Sequence, residues 1–267
     1  MSAPHATMSG SGGVLTVTID RQDKLNAISP EVTAVLWEAV RSLAADPEQR
    51  VLVIRSVGRY FTAGLDIETL SAQRGQSGPA TRQTYREHHL LYDEFEAVEK
   101  PIVIAAHAPC LGAGVEMALS CDFRLASDAA RFQLPEINLA VVPGSGGISR
   151  LTRIVGPHWA KWLAMAGQSV DAREALQIGL VHAVYPASEF GARVDAFVDS
   201  LTKLPGEALG VAKLAIDMSA NTDPGTARNI ERIANTTLLQ SDEHHARVAE
   251  FQQQSARRMG TDGNRTS

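Results

Sequence analysis

Two glutamates stand where a carboxylate is costly to keep. Glu116 lies in "CLGAGVEMALSCD", Cys110 to Asp122, a stretch otherwise small or apolar until its closing aspartate. Glu136 lies in "FQLPEINLAVVPGSGG" and is followed by no charged residue until Arg150. A helix as poor in polar side chains as the one around Glu116 buries itself nearly all round, and glutamate is rarely buried without a partner. No basic residue lies within a turn of it. Carboxylates that share a desolvated site do not both ionise comfortably: one pKa rises, and the pair can hold one proton while releasing another. Such a pair can do acid/base chemistry. The alternative is that Glu116 braces a neighbouring helix and Glu136 merely ends a strand. Gly112, Ala113 and Gly114, just before Glu116, would let another group approach the backbone closely.

Other chemistries fit less well. "GAGVEM" begins like a dinucleotide fingerprint, but Met117 occupies the third glycine position. "PGSGG" (143–147) has Pro143 where a nucleophile elbow needs its first glycine. His88-His89 and His244-His245 are adjacent pairs, which on a helix point about 100° apart and cannot form a one-face metal site. Cys110 and Cys121 are the two cysteines, too few for a disulfide framework or a paired C-x-x-C site, so a reducing, cytoplasmic setting is expected. With 25 Lys plus Arg against 30 Asp plus Glu, a net charge of −5 and no basic block, nucleic acid is not an expected partner. No run of about 18 apolar residues suggests a membrane span, and the N-terminus lacks a leader pattern. Residues 1–12 are expected to be disordered.

The elements that must position the glutamates alternate between short β-rich runs and longer helical ones, the pattern of an α/β core over 13–204. "VLTVTID" (14–20) reads as a strand. Ser29-Pro30 then opens a helix whose Val32, Val35, Leu36, Ala39, Val40 and Leu43 share one face. "RVLVIRS" (50–56) and "PIVIAAH" (101–107) are nearly continuous apolar runs, expected of strands covered on both faces. "DFRLAS", "ARFQLPE" and "GLVHAVY" (179–185) read as further strands, the last after a helix capped by Asp171 with Glu174 three residues on. The insert 71–83 is polar and weakly patterned. Residues 205–267 read as helical, the final helix starting at Ser241–Glu243 and ending at Arg257, Arg258 and Gly260. Ile230, Ile233 and Leu238 form a stripe there that needs a partner surface.

Four segments, "RQDKLNAIS" (21–29), "FTAGLDI" (61–67), "CLGAGVEMALSCDFRLAS" (110–127) and "LPEINLAVVPGSGGISRL" (134–151), resemble in order and spacing the enoyl-CoA hydratase/isomerase family, the crotonases, from about Val14 to Phe251. The resemblance implies a crotonase-like spiral of ββα turns with a helical C-terminal oligomerisation region, a homotrimer or homohexamer, and an acyl-CoA thioester as substrate with no metal or redox cofactor. It implies that the Ala63 and Ala113 N–H groups stabilise an enolate oxygen. Ala63, Gly64, Leu65 and Asp66 would form a shelf under the adenine and thioester, with Ile67 as a further substrate-binding residue. Lys24, with Arg21, would meet the CoA phosphates, and Gly112 and Gly144 would line the site.

Both acidic positions of the hydratase pattern are present. A third carboxylate, which dienoyl-CoA isomerases carry eight residues after the second, is Gly144 here. That favours water addition, with a dienoyl- or enoyl-CoA isomerase and a non-catalytic acyl-CoA-binding scaffold as alternatives. Tyr85, His88, His89 and Tyr92 are expected to wall the acyl chain.

Overall fold

The computed structural model describes residues 4–72 and 75–262, and the chain divides into two compact units, Met1–Lys203 and Leu204–Ser267. In the first unit a six-stranded sheet has the order β1-β2-β3-β4-β6-β9. Its strands are β1 (Ala6–Ser11), β2 (Val14–Ile19), β3 (Val51–Ser56), β4 (Ile102–Ala106), β6 (Phe123–Ser127) and β9 (Ala183–Tyr185). All neighbours pair in parallel except β1 and β2. A smaller sheet, β5-β7-β8, joins β5 (Cys110–Leu111), β7 (Arg131–Gln133) and β8 (Ser169–Asp171).

The central strands are apolar over 51–54 and 102–106 because both faces are covered. Leu52, Ile54, Ile102 and Ile104 face the main core. There they share space with Leu36, Ala39, Val40 and Leu43 of α1 (Pro30–Ala45). The alternate residues Val51, Val53, Val103 and Ala105 face a second core, closed by Phe190, Val194, Val198 and Leu201. The predicted caps form: the Ser29 hydroxyl accepts the Val32 N–H, and Asp171 with Glu174 makes a reciprocal capping box.

Residues 6–11, the 71–83 insert and the 179–185 strand add to or depart from the sequence reading. Residues 6–11 are a strand, not a disordered tail. The Gly12-Gly13 pair, with φ of 58° and 80°, makes the two-residue turn that folds β1 back onto β2. Residues 71–72 and 78–83 of the weakly patterned 71–83 insert are helix. After α2 (Ile67–Ala72), α3 (Gly78–Ala97) starts with a Ser77 cap and an early proline, while residues 73 and 74 lie outside the described residues. The strand expected over 179–185 is only Ala183–Tyr185, because Gly179 at φ 77° turns the chain first.

The remaining helices of the first unit are α4 (Ala113–Leu119), α5 (Gly147–Ala160), α6 (Ala172–Gln177) and α7 (Phe190–Thr202). The second unit consists of α8 (Gly206–Ser219), α9 (Pro224–Leu239) and α10 (Asp242–Asp262); α10 continues past Gly260, its expected end. Among the described residues, no helix is long and apolar enough to cross a membrane.

Candidate active site

Three segments meet beside the sheet. Residues 61–66 and 110–113 run together through the parallel bridge Thr62↔Cys110, and 28 and 65 through Ile28↔Leu65. Glycines make this approach possible. A β-carbon on Gly64 would lie 3.1 Å from the Leu111 carbonyl oxygen, and one on Gly114 only 2.1 Å from Thr62 Cγ2. Between them opens a cavity of about 200 Å³ whose wall includes Leu36 and Leu91, both glutamates, and Tyr85, His88 and Tyr92.

Glu116 sits in α4, every residue of which is buried, as the composition requires. Its missing partner is main chain: Oε1 accepts the Ser145 N–H at 2.7 Å and the Gly147 N–H at 3.2 Å. Gly147 is the first residue of α5, so the carboxylate occupies a helix N-terminus, where unsatisfied N–H groups and the helix dipole favour negative charge. Burial raises the Glu116 pKa, while these two N–H groups and the Arg150 charge oppose the rise. Gly147 must be glycine, because a β-carbon there would lie 2.7 Å from Glu116 Oε1.

Glu136 lies in a 3₁₀ turn, Pro135–Leu139, just after β7. Its Oε2 is buried without a hydrogen-bond partner among the described residues. Burial, with the Glu116 charge as a smaller cause, pushes its pKa up to about 7, against an opposing hydrogen bond from its own N–H. The two carboxylates therefore differ in support: Glu116 has two N–H donors from the 145–147 turn, while Glu136 has only its own N–H and one unpartnered oxygen.

A stability prediction follows from that difference. A carboxyl whose folded pKa is raised holds more protons folded than unfolded between its ordinary value, 4.5, and about 7. Its contribution is complete below the lower value and is lost as pH rises through the upper. Glu136→Gln, which mimics the protonated form, is expected to melt increasingly above wild type as pH goes from 5 to 8. A melting difference that stays constant with pH would contradict this assignment.

The other expected residues separate into two groups. Ala63, Gly64, Leu65, Ile67, Gly112, Ala113 and Gly144 line the cavity; Lys24 and Asp66 do not. Asp66 is buried in an ion pair with Arg21, which lowers its pKa, and its other oxygen accepts the Glu68 N–H. Arg21 is therefore engaged by Asp66 inside the fold, and Asp66 lies outside the cavity lining. Lys24 is exposed, 3.3 Å from Glu68.

Of the two expected oxyanion donors, Ala113 N–H stands at the first position of α4, where no intrahelical acceptor exists. Ala63 N–H already donates to the Leu25 carbonyl at 3.0 Å, so a substrate oxygen would have to share it. Leu25 and Asn26 both adopt positive φ, 52° and 57°. The Asn26 amide pins this bend by donating to the Val57 and Tyr60 carbonyls.

The helix α3 supplies Tyr85, His88 and Tyr92 to the wall, but His89 turns away and its Nε2 meets the Gly144 carbonyl. Burial lowers the His88 pKa, against the nearby Glu87. Burial also raises the pKa of Tyr92, whose hydroxyl donates to the Ala113 carbonyl at 3.3 Å. Sequence reasoning missed Ser145, Gly147 and Arg150. Arg150 is buried and binds Glu96 and Asp93 at 2.8 and 2.6 Å. The signal was "PGSGG" running into the start of a helix, a sequence suited to presenting N–H groups to an anion.

The enoyl-CoA hydratase/isomerase family model matches residues 9–256. The chain belongs to that family. It is 34% identical to the crotonyl-CoA hydratase of Syntrophomonas wolfei, over 80% of this chain and 79% of that protein. It is 32% identical to the 2,3-dehydroadipyl-CoA hydratase of Escherichia coli, over 90% and 92%. The crystal structure of an enoyl-CoA hydratase from Polaromonas sp. JS666 superposes with a TM-score of 0.88 at 26% identity, covering 93% of this chain and 97% of that one. The fold is thus the mixed α/β crotonase fold, and the protein is an enzyme of the enoyl-CoA hydratase/isomerase family.

Proposed function

We propose that this enzyme adds water across the 2,3 double bond of an enoyl-CoA thioester, with Glu116 as base and Glu136 as acid. The observation that carries the assignment is the unequal support of the two carboxylates in one cavity. Glu116 has two N–H donors that favour its ionised form; Glu136, with an unpartnered buried oxygen and a pKa of about 7, favours its protonated form. A water between them loses a proton to Glu116 as its oxygen bonds to C3. The double-bond electrons move toward the thioester, and Glu136 gives its proton to C2. Negative charge on the thioester oxygen is met by Ala113 N–H and a shared Ala63 N–H, each such donor being worth ~10²–10³ in rate.

A mass-spectrometric screen of 2-enoyl-, 3-enoyl- and dienoyl-CoAs tests the proposal. The expected result is a gain of one water on 2-enoyl substrates; isomeric products without water would support an isomerase, and no product a scaffold.

The space around Gly144 also supports hydration over dienoyl isomerisation. A β-carbon on Gly144 would come within 2.7 Å of the Tyr85 ring, so a third carboxylate would fit there only if Tyr85 moved. Gly144→Asp alone is expected to lower soluble yield and hydration at least about tenfold, the overpacked side chain displacing the loop. Tyr85→Ala with Gly144→Asp should recover folding. Equal behaviour of the single and double variants would remove Tyr85 as the cause.

The helical unit supports self-assembly. No α9 residue is buried, and Ile216, Ile233 and Phe251 are more than 60% exposed. A homotrimer or homohexamer is the expected state, and a monomeric mass by light scattering at micromolar concentration would contradict it.

A further inference from the structure

One face of α3 grips the loop 143–146 and the first turn of α5 through Tyr85, His89, Asp93 and Glu96, residues spaced about one turn apart. Tyr85 packs on Gly144. Asp93 and Glu96 hold Arg150, whose Nη1 reaches the Ser145 carbonyl at 3.4 Å. His89 takes the remaining point, the Gly144 carbonyl. That carbonyl and the Ser145 N–H are the two ends of one planar peptide unit, and the Ser145 N–H is the shorter of the two hydrogen bonds to Glu116.

We propose that His89 is a positioning residue for Glu116. By holding the Gly144 carbonyl it fixes the plane whose other end aims an N–H at the Glu116 carboxylate. The carbonyl can only accept, so His89 bonds through Nε2–H. Two hydrogen bonds in series through one peptide also polarise each other, strengthening the Ser145 donor. The proposal rests on reading Glu116 as the base, since His89 itself does not line the cavity. Glu136 faces Glu116 across the cavity, Tyr92 and His88 flank it from α3, and Arg150 with Asp93 and Glu96 stands behind the loop. Of these only His88 changes electrostatically on substitution at 89, since the His89 charge helps to lower its pKa.

The test compares His89→Ala, His89→Gln and His89→Asn with wild type. One readout is the titration of the Glu116 carboxyl by ¹³C NMR in glutamate-labelled protein, with Glu116→Gln identifying the signal. The other is kcat and KM on a 2-enoyl-CoA. His89→Ala should move the Glu116 midpoint to higher pH, because the ionised form loses a well-aimed donor. It should also lower kcat about tenfold, the loss of roughly one hydrogen bond, with KM within about twofold. His89→Gln, whose amide nitrogen reaches the place of Nε2, should restore both. His89→Asn, shorter, should behave like alanine. An unmoved Glu116 midpoint in His89→Ala, or equal effects of alanine and glutamine, would overturn the positioning role. Failure of wild type to turn over any enoyl-CoA would instead overturn the hydratase reading, and the NMR readout would still decide the role of His89.

Discussion

Hydration by the Glu136→Gln protein is expected to run ~10²–10⁴ slower than wild type, the range for losing a positioned proton donor. Glutamine keeps the size and hydrogen bonding of the protonated side chain but cannot release a proton to C2. Glu116→Gln should cost a similar factor, because an amide cannot accept the proton of the attacking water. The double variant should lose little more than either single one, since groups that act as a unit are strongly non-additive. Affinity for a saturated acyl-CoA should stay within a few fold, as the backbone donors and the apolar wall are untouched. A simple isomerase would behave differently: one base can shuttle a proton between carbons, so Glu116→Gln would keep substantial activity while Glu136→Gln abolished it. Steady-state rates with purified variants separate the two patterns.

Gly112→Ala should be the most damaging conservative change outside the glutamates. Gly112 adopts φ 53° and ψ −124°, a conformation that costs an L-residue about 1–3 kcal/mol. Its new β-carbon would lie 2.9 Å from Glu136 Oε1. The backbone there is held on both sides: its N–H donates to the Gln133 carbonyl, and its carbonyl accepts the Val115 and Glu116 N–H groups. Since the turn cannot move away, Glu136 must. A displacement of about 1 Å at a reacting group can cost ~10² in rate. The variant should therefore unfold about 1–3 kcal/mol more easily in denaturant and lose ~10² in kcat. Wild-type kcat in a folded Gly112→Ala protein would show that Glu136 does not work from this position.

Much of the scaffold was readable because it follows from local rules. Ser29-Pro30 and Asp171…Glu174 cap their helices through contacts three residues away, and β3 up to Ile54 and all of β4 are apolar because both faces are covered. Glu116 was conspicuous for the same kind of reason, a carboxylate on a helix with no polar face. Its partner was hidden because it is not a side chain: the N–H groups of Ser145 and Gly147 lie 29 and 31 residues away. Arg21 looked like a free cation in a loop, and only the fold brings Asp66, 45 residues on, against it. The hairpin of β1 was legible in Gly12-Gly13 and was outweighed by the polar, small-residue composition around it. The brace formed by α3 needed both the helix and the loop it holds, and neither stretch alone indicates the other.

The pH dependence of kcat/KM for wild type on a 2-enoyl-CoA tests the acid role of Glu136 most directly. The free enzyme must hold Glu136 protonated, and burial places its pKa at about 7, so the paired carboxylates should show an alkaline limb centred near that value. The rate should fall as pH rises through it, and the limb should be absent from the residual activity of Glu136→Gln. A rate that instead rises through pH 7 to a plateau, or the same alkaline limb in Glu136→Gln, would contradict a protonated Glu136 as the acid of the reaction.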